Sequence, residues 1–434
     1  MASLNDTHDP RRRSWVDGAN APGTDFPVQN LPLGVFKPTR GKPRGGIAIG
    51  DKILDLALAV KAGLFSDDAE EAARAAMGPT LNPLMALGND AASALRRAAA
   101  DLLTEGSKAR SQVEPCLLDR NGAAMQVPSR IGNFTDFLCS YDHAKRMSAD
   151  GTLPPSFTSQ PIAYHGRAST VRVSGTPLIR PNGQFRGSNG QITFGPEPSQ
   201  DFELELGIWV GPGNDMGTPI PLAKAARHLF GYSLLNDWSA RGILFWELQP
   251  LGPFLGKSLM TTISPWIVTA EALAPFAAPL RARDADDAAP AHLTDARNSK
   301  AGGLDINMYV DWSTAAMLSK GRRPETVTRT NFKYSFWTPA QMLTHHASNG
   351  CDLEPGDLLG SGTISGPADD SRACLAEMSE KGTASIDVGG ERRVWLEDGD
   401  EINFRARAEH DGFALIGFGD CRGRVVPSVP WPNA

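Results

Sequence analysis

Two glutamates, Glu203 and Glu205, stand two positions apart in the segment DFELEL at 201–206. Because side chains alternate across a strand, this spacing predicts both carboxylates on one face, opposite Leu204 and Leu206. Two carboxylates on one face repel each other unless a cation or a basic side chain lies between them. Oxygen donors without a nearby cysteine or histidine favour a hard cation, Mg²⁺ or Ca²⁺. A solvated outer strand face is the open alternative.

A second group of reactive side chains lies in the segment IGNFTDFLCSYDHAKRM at 131–147. Its spacing of i, i+3, i+4 and i+7 predicts one stripe of a helix, formed by Asp136, Cys139, Ser140 and His143. A carboxylate and an imidazole two turns apart suit a metal ligand and a nearby base. The residues alone favour the simpler interpretation, a capped surface helix with an incidental histidine.

The segment LLNDWSARGILFWEL at 234–248 holds a carboxylate close to a guanidinium. We predict that Asp237 caps a helix beginning at Trp238. Four side chains would then share one helix stripe: Asp237, Arg241, Leu244 and Leu248. The carboxylate of Asp237 and the guanidinium of Arg241 on one face suit a site that holds a metal and an anionic substrate. An ordinary i,i+4 salt bridge on a helix surface is the alternative.

Two glycine-containing segments add candidates. In the first, PLGPFLGKSLMTTISPW at 250–266, prolines and glycines restrict the backbone to tight turns around Lys257. A single lysine usually faces solvent, so this segment alone is a weak signal. LEPGDLLGSGTISGP at 353–367 places Thr363 between glycines but lacks the Lys-Ser/Thr ending of a phosphate loop. It therefore predicts close approach of backbone to a ligand and argues against a nucleotide site.

Composition restricts the class of protein. The chain has 434 residues, 41% hydrophobic and 21% charged, with a formal net charge of −6. It lacks the basic excess of a nucleic-acid-binding protein and the run of ~18 apolar residues that spans a bilayer. Its five cysteines are odd in number and show no paired spacing, which argues against disulfides and zinc knuckles. We predict a cytoplasmic protein with neither a nucleic-acid nor a membrane partner.

The texture of the chain predicts two domains, 1–127 and 128–434. In the first, Gly50 with the following aspartate marks a hairpin turn, and Asp90 is a candidate helix cap. In the second, alternating segments predict a mostly-β domain with helices at its margin. Residues 281–303 predict an exposed loop.

Two local signals are clear in the second domain. A capping box, a first-turn proline and a closing Gly350 predict a helix over 339–349. Asp398 with the following glycine, between alternating runs, predicts a hairpin.

Taken together and in this order, the segments resemble the fumarylacetoacetate hydrolase family. The likeness is carried by AYHGRASTVRVSGTP at 163–177 and by LLNDWSAR, PLGPFLGKS, THHASNG and GTISGP, and DFPVQNLPLGVF at 25–36 is similar to the family's N-terminal domain. The resemblance implies a mostly-β (α+β) fold, with a small SH3-like N-terminal barrel followed by a larger mixed β-roll hydrolase domain. It also implies a homodimer.

The resemblance further implies roles for individual residues. The metal, Mg²⁺ or Ca²⁺, would be held or bordered by Asp136, Glu203, Glu205, Asp237, Lys257 and Thr261. His143 would be the general base, oriented by Glu377, and Arg241 and Lys257 would face the oxyanion. Tyr164 and Thr363 would contact the substrate.

The implied reaction is metal-dependent hydrolysis of a carbon–carbon bond in a β-diketone acid, with fumarylacetoacetate as the leading substrate, a step of tyrosine and phenylalanine degradation. The chain departs from the family at Leu138, Leu244 and Leu248, where the family has polar side chains, and it lacks a clear match for a substrate-binding arginine between His143 and Tyr164. Because polar pocket groups discriminate strongly, a hydrolase of other acylpyruvates or 1,3-diketones is an alternative. A weakened homologue that only binds a ligand is another.

Overall fold

The computed structural model describes residues 3–283 and 287–432. Its strands, in chain order, are β1 (Leu33–Lys37), β2 (Arg44–Ile49), β3 (Lys52–Asp55), β4 (Leu117–Asp119), β5 (Ala124–Gln126), β6 (Phe134–Leu138), β7 (Ile162–Gly166), β8 (Val171–Val173), β9 (Leu178–Ile179), β10 (Asn182–Arg186), β11 (Ile192–Pro196), β12 (Gln200–Asp201), β13 (Leu204–Val210), β14 (Leu229–Asp237), β15 (Ser239–Ala240), β16 (Thr261–Ile263), β17 (Trp266–Thr269), β18 (Ala277–Ala278), β19 (Gly303–Leu304), β20 (Asn307–Ser313), β21 (Glu325–Asn331), β22 (Leu358–Gly360), β23 (Ile386–Val388), β24 (Glu391–Arg393), β25 (Glu401–Ala408), β26 (Ile416–Gly417) and β27 (Cys421–Val426).

Helices make up a nearly equal share of the structure. They are α1 (Leu56–Lys61), α2 (Asp67–Ala76), α3 (Asn82–Leu87), α4 (Asn89–Leu103), α5 (Arg110–Val113), α6 (Tyr141–Met147), α7 (Pro155–Ser159), α8 (Leu222–Ala225), α9 (Arg241–Glu247), α10 (Leu255–Ser258), α11 (Ala296–Ala301), α12 (Ala315–Ser319), α13 (Pro339–His346) and α14 (Leu375–Met378). The α+β class is confirmed, with more helix than a mostly-β protein has.

One large sheet runs through the molecule. Its strand order is β4-β3-β2-β1-β17-β14-β13-β22-β6-β7, with β5, β8 and β16 attached at its sides. The β2–β3 pair confirms the hairpin predicted at Gly50, which adopts a left-handed φ of 54°. A second sheet has the order β21-β20-β25-β27-β9, with β26 paired to β25.

The middle strands of the large sheet are covered on both faces. Every residue of β13 and β14 is buried. Leu204 and Leu206 contribute to the larger core, which also holds the second sheet, whereas Trp209 and Leu235 contribute to the core shared with α2 and α4. A strand buried on both faces can keep polar side chains only if they bind one another or an ion, so Glu205 on β13 and Glu203 just before it require partners.

The N-terminal strands continue the large sheet through the β1–β17 ladder. Among the described residues β4 and β5 do not pair, so the ladder β4-β3-β2-β1-β5 stays open there and the closed SH3-like barrel stays a prediction. The domain division at 127/128 likewise stays a prediction.

The structure corrects several local predictions. The segment 131–147 is not one helix but strand β6 followed by α6, because the apolar run ahead of Cys139 pairs with β22 and β7. Asp237 is the last residue of β14 and caps no helix, because it pairs with Thr261 of β16 in the large sheet and the next helix, α9, begins at Arg241. Asn89 opens α4 behind Gly88, so Asp90 lies in the first turn and is not the cap.

Elsewhere the outcome is mixed. The start of the capped helix is confirmed as α13, with the capping box between Thr338 and Gln341, but the helix ends at His346 with Ala347 as its C-cap, so the predicted end at 349 with Gly350 as the closing residue is wrong. The hairpin at Asp398 is wrong, because β24 pairs with β23 while β25 pairs with β20 and β27. The predicted loop at 281–303 contains α11, and its residues 284–286 lie outside the described residues. In the described ranges, none of the helices has the length and apolar character needed to cross a membrane.

Candidate metal centre and active site

Four buried carboxylates converge on neighbouring strands of the large sheet. Asp136 lies on β6, Glu205 on β13 and Asp237 at the end of β14, and Glu203 immediately precedes β13. One carboxylate oxygen from each lies within 4.8 Å of those of the other three. The predicted shared face of the two glutamates is therefore confirmed as a buried, inward face, and the solvated alternative is excluded.

Gly360 makes room for this group. It lies on β22, the strand between β13 and β6, and its register partner on β6 is Asp136. A methyl group there would collide with Asp136 Oδ1 and lie 2.9 Å from Glu205 Oε2. The glycine is therefore needed for the space that the two carboxylates occupy. The glycine-rich composition of 353–367 signalled this close approach without showing what approaches.

Two of the four carboxylates have an oxygen without a partner. Asp136 Oδ1 and Glu205 Oε1 are buried and accept no hydrogen bond from the described residues. Burial, reinforced by the neighbouring Asp237, raises the pKa of Asp136 well above its ordinary value. Burial and the adjacent Asp136 raise the pKa of Glu205 in the same way. Two unpaired carboxylate oxygens buried side by side indicate a site that can bind a cation.

Glu203, by contrast, is neutralised by two cations. Its Oε1 accepts from Arg241 Nη2 at 2.6 Å, and its Oε2 pairs with Lys257 Nζ. Burial opposes ionisation, but these two cations outweigh it and hold the pKa of Glu203 at about 2. Lys257 also donates to Asp237 Oδ2 at 2.8 Å, and Thr261 donates to Asp237 Oδ1 at 3.1 Å. Lys257 is thus buried at the centre, unlike an ordinary surface lysine.

His143 and Glu377 form a buried dyad. His143 lies on α6, whose N-cap Ser140 accepts the His143 backbone N–H at 3.2 Å. Its Nδ1 is 2.5 Å from Glu377 Oε1 on α14. Burial opposes ionisation of Glu377, but His143, Ser365 and Arg146 together lower its pKa to about 2. A carboxylate at Nδ1 assigns the proton to that nitrogen and leaves Nε2 as the acceptor.

Residues that the sequence did not indicate join the dyad to the carboxylates. Asp201 accepts from Arg241 Nε at 2.8 Å and from the backbone N–H groups of Leu375 and Ala376 at the start of α14. Glu203 forms a backbone bridge with Cys374, whose Sγ lies 4.0 Å from His143 Nδ1. No local spacing signals these contacts, because they join positions 40 to 231 residues apart.

The predicted substrate-contacting residues form a polar group, Tyr164 and Thr363, and an apolar group, Leu138, Leu244 and Leu248. Tyr164 on β7 donates its hydroxyl to Asp237 Oδ2 at 2.7 Å, and Thr363 is buried just beyond β22. Leu138 is half-buried at the end of β6, two residues beyond Asp136. Leu244 is buried on α9 against Gly256, whereas Leu248 is 39% exposed beyond the end of that helix.

The donor set fits a hard divalent cation. Mg²⁺ and Ca²⁺ prefer carboxylate oxygens, and a charge of +2, together with Arg241 and Lys257, balances four carboxylates. Asp136 and Glu205 are the carboxylates with an oxygen still available for such an ion.

We expect cation binding to the metal-free protein to release protons. The raised pKa values of Asp136 and Glu205 mean that these carboxyls retain protons at pH values where ordinary carboxyls are ionised, and a cation displaces them. Calorimetric titration with Ca²⁺ in buffers of different ionisation enthalpy should show a proton release that grows as the pH is lowered. Identical apparent enthalpies in all buffers would contradict this expectation.

Comparison with known proteins agrees with the geometry. The family description "Fumarylacetoacetate (FAA) hydrolase C-terminal" matches residues 133–426, and "Fumarylacetoacetase N-terminal" matches residues 29–128. The chain is similar to the fumarylacetoacetase of Bos taurus, with 44% identity over 94% of this chain and 98% of the relative. It is similarly related to the fumarylacetoacetase of Arabidopsis thaliana, with 42% identity over 96% of this chain and 99% of the relative.

A solved structure shares the fold. The fumarylacetoacetate hydrolase from psychrophilic Exiguobacterium antarcticum is 18% identical, with a TM-score of 0.51 over 92% of this chain and 99% of that one. The matches to the two fumarylacetoacetases span nearly the whole length of this chain and of each relative. The chain belongs to the fumarylacetoacetate hydrolase family.

Proposed function

We propose that this protein hydrolyses fumarylacetoacetate to fumarate and acetoacetate. The observation that carries the proposal is the buried His143–Glu377 dyad, joined through Cys374 and Glu203 to four convergent carboxylates. Relatives named fumarylacetoacetase, 42% and 44% identical over nearly the full chain, support the same substrate.

Cleaving a carbon–carbon bond between two carbonyls needs an activated water. In our proposal His143 takes a proton from water at Nε2, while Glu377 at Nδ1 holds the ring orientation and stabilises the imidazolium. The resulting hydroxide adds to one carbonyl carbon. When the adjacent C–C bond breaks, its electron pair passes to the leaving fragment as an enolate, which takes back the proton from His143 Nε2, and the acyl fragment that gained the hydroxyl leaves as a carboxylic acid.

Two negative charges arise in this sequence, first on the tetrahedral alkoxide and then on the enolate. Arg241 and Lys257 are buried beside the carboxylates, and burial opposes their charge while Glu203 and its neighbours raise the pKa of both. Permanent cations in such a site stabilise each anion, typically by ~3 kcal/mol per donor. We propose that Asp136, Glu203, Glu205 and Asp237 hold the cation, with Tyr164 and Thr363 next to the substrate. When bound, Mg²⁺ or Ca²⁺ supplies Lewis-acid polarisation of the diketone oxygens.

The test is a substrate panel. Purified protein with Mg²⁺ or Ca²⁺ is given fumarylacetoacetate and several acylpyruvates, and the loss of diketone absorbance is followed. We expect turnover of fumarylacetoacetate. Turnover of acylpyruvates alone would transfer the assignment to a related 1,3-diketone hydrolase, and no turnover of any compound would favour a binding protein.

The apolar side chains near the site favour the acylpyruvate alternative. Leu138 and Leu244 stand where family members carry polar groups, and an apolar wall offers no hydrogen bond to a substrate's acidic end. If that wall limits the reaction, Leu244→Gln should raise kcat/KM for fumarylacetoacetate relative to an acylpyruvate. An unchanged ratio of the two kcat/KM values would exclude Leu244 from substrate selection.

We further propose that the protein is a homodimer. The segment 245–255 joins the helices that carry Arg241 and Lys257, and six of its large apolar residues are exposed: Phe245, Trp246, Leu248, Leu251, Phe254 and Leu255. Glu247 fixes this segment by accepting the backbone N–H groups of residues 254–256. An ordered apolar patch of this kind is typical of an interface, and a two-fold axis brings the same patch from a second copy against it.

Light scattering tests the dimer. We expect wild-type protein at twice the monomer mass and the Leu251→Glu/Phe254→Glu variant as a monomer, because the added charges would be buried in the interface. The matched control is Met216→Glu, which changes a 79% exposed residue outside the segment and should remain dimeric. A monomeric wild type would overturn the proposal. Cytoplasmic location stays a prediction.

A further inference from the structure

Arg146 reaches the oxygen of Glu377 that His143 leaves free. It follows His143 by three positions on α6, so both side chains lie on the same helix face. Arg146 Nη1 donates to Glu377 Oε2 at 3.0 Å, while His143 Nδ1 is 2.5 Å from Oε1. The two oxygens of one buried carboxylate are therefore held from the same helix.

The contact is part of a closed network. Arg146 Nη2 donates to the backbone carbonyl of Pro367 at 3.1 Å, and Ser365 Oγ donates to Glu377 Oε1 at 2.6 Å. The Glu377 side chain is fully buried. Rotating its carboxylate would break the hydrogen bonds at both oxygens, and charge-assisted bonds of this kind carry directional preference.

We propose that Arg146 is a positioning residue for the hydrolytic reaction: it acts through Glu377, fixing the carboxylate plane that orients the His143 imidazole. The inference rests on the proposed function, in which His143 is the base. It adds to that function a residue, Arg146, to which neither the resemblance nor the comparisons assign a role.

Arg146 makes no contact with the four carboxylates in the described hydrogen bonds and ion pairs, so its loss should not weaken cation or substrate binding. A general base contributes about 10²–10⁴-fold to a rate, and misorienting it forfeits part of that. We expect Arg146→Ala to lower kcat about ten- to a hundredfold, with KM changed less than about twofold.

Two variants separate orientation from simple structural damage. Added guanidinium ion should restore part of the lost kcat of Arg146→Ala by occupying the vacated site. Arg146→Lys should retain an intermediate kcat, because an ammonium keeps the charge but cannot span Glu377 and Pro367 together. The matched control is Arg372→Ala: Arg372 and Arg146 side chains are both 24% exposed, but Arg372 contacts Glu377 only at its backbone carbonyl, at 3.2 Å, and otherwise donates to Asp369 Oδ1 at 2.8 Å. We expect that variant to keep wild-type kcat and to gain nothing from guanidinium.

A readout without turnover keeps this inference separate from the proposed function. The short His143–Glu377 hydrogen bond should give a strongly downfield proton resonance in the wild-type NMR spectrum, absent in Glu377→Gln. We expect the signal to broaden or move upfield in Arg146→Ala and to stay in place in Arg372→Ala. An unmoved signal in Arg146→Ala would overturn the inference even if the substrate assignment holds, and so would wild-type kcat in that variant. Failure of wild type to cleave any diketone would instead refute the proposed function.

Discussion

The His143→Ala protein should hydrolyse fumarylacetoacetate about a thousandfold more slowly than the wild type, while binding Ca²⁺ with nearly unchanged affinity. The imidazole Nδ1 is bound to Glu377, so Nε2 is the nitrogen that can accept a proton from water. The imidazole is absent from the carboxylate group, which comprises Asp136, Glu203, Glu205 and Asp237. Chemistry and cation binding should therefore separate in this one variant, measured by diketone absorbance and by calorimetry.

A matched control is His410→Ala, which removes an exposed histidine bound only to a neighbouring backbone carbonyl. It should leave both measurements at wild-type values. An active His143→Ala protein would remove His143 from the role of base, and a loss of Ca²⁺ binding in that protein would show that the dyad and the cation site are one structural unit.

Gly360→Ala should abolish cation binding and, with it, hydrolysis. The added methyl would overlap Asp136 Oδ1 and press on Glu205 Oε2, and both belong to backbone-anchored side chains on strands β6 and β13 that cannot move apart without breaking the sheet. Overpacking of a well-filled interior typically costs 1–3 kcal/mol, so Tm should also fall. Calcium titration and thermal unfolding measure the two effects.

Gly195→Ala provides the matched control for this substitution. Gly195 also lies within a strand, β11, but a methyl group there would meet no atom within 4 Å. We expect unchanged Ca²⁺ affinity and Tm. Wild-type Ca²⁺ affinity in Gly360→Ala would mean that the carboxylates adjust freely and that Gly360 does not shape the cation site.

Periodicity predicted the parts of the site that depend on one strand. The alternation in 201–206 placed Glu203 and Glu205 on one face, because that spacing is a property of the pleat alone. It could not show that this face is buried, since that depends on β22, which pairs with β13 from about 150 positions further along the chain, and on β6, which pairs with β22.

Helical spacing was misleading where strands end. The intervals around Asp136 and Asp237 match one helix stripe, but both residues lie on strands, because pairing in the large sheet outweighs local spacing. Each strand is followed within four residues by a helix, α6 or α9, and the later members of each apparent stripe lie in or next to that helix. The resemblance to a family, carried by ordered motifs, named together the four carboxylates that the structure brings within 4.8 Å of one another, which periodicity did not.

The contacts of Asp201, Arg146 and Gly360 were beyond sequence reasoning for a different reason. Asp201 and Arg146 hydrogen-bond side chains 40 and 231 positions away, and Gly360 leaves space for carboxylates from two other strands. Neither residue type nor local spacing encodes such a neighbour.

Anomalous diffraction from crystals soaked in Ca²⁺ tests the central claim most directly. We predict one peak enclosed by Asp136, Glu203, Glu205 and Asp237, with oxygen distances of about 2.3–2.6 Å, on the same side of the sheet as the His143 ring. A well-occupied ion elsewhere, with these four carboxylates bound only to protein groups at saturating Ca²⁺, would contradict it.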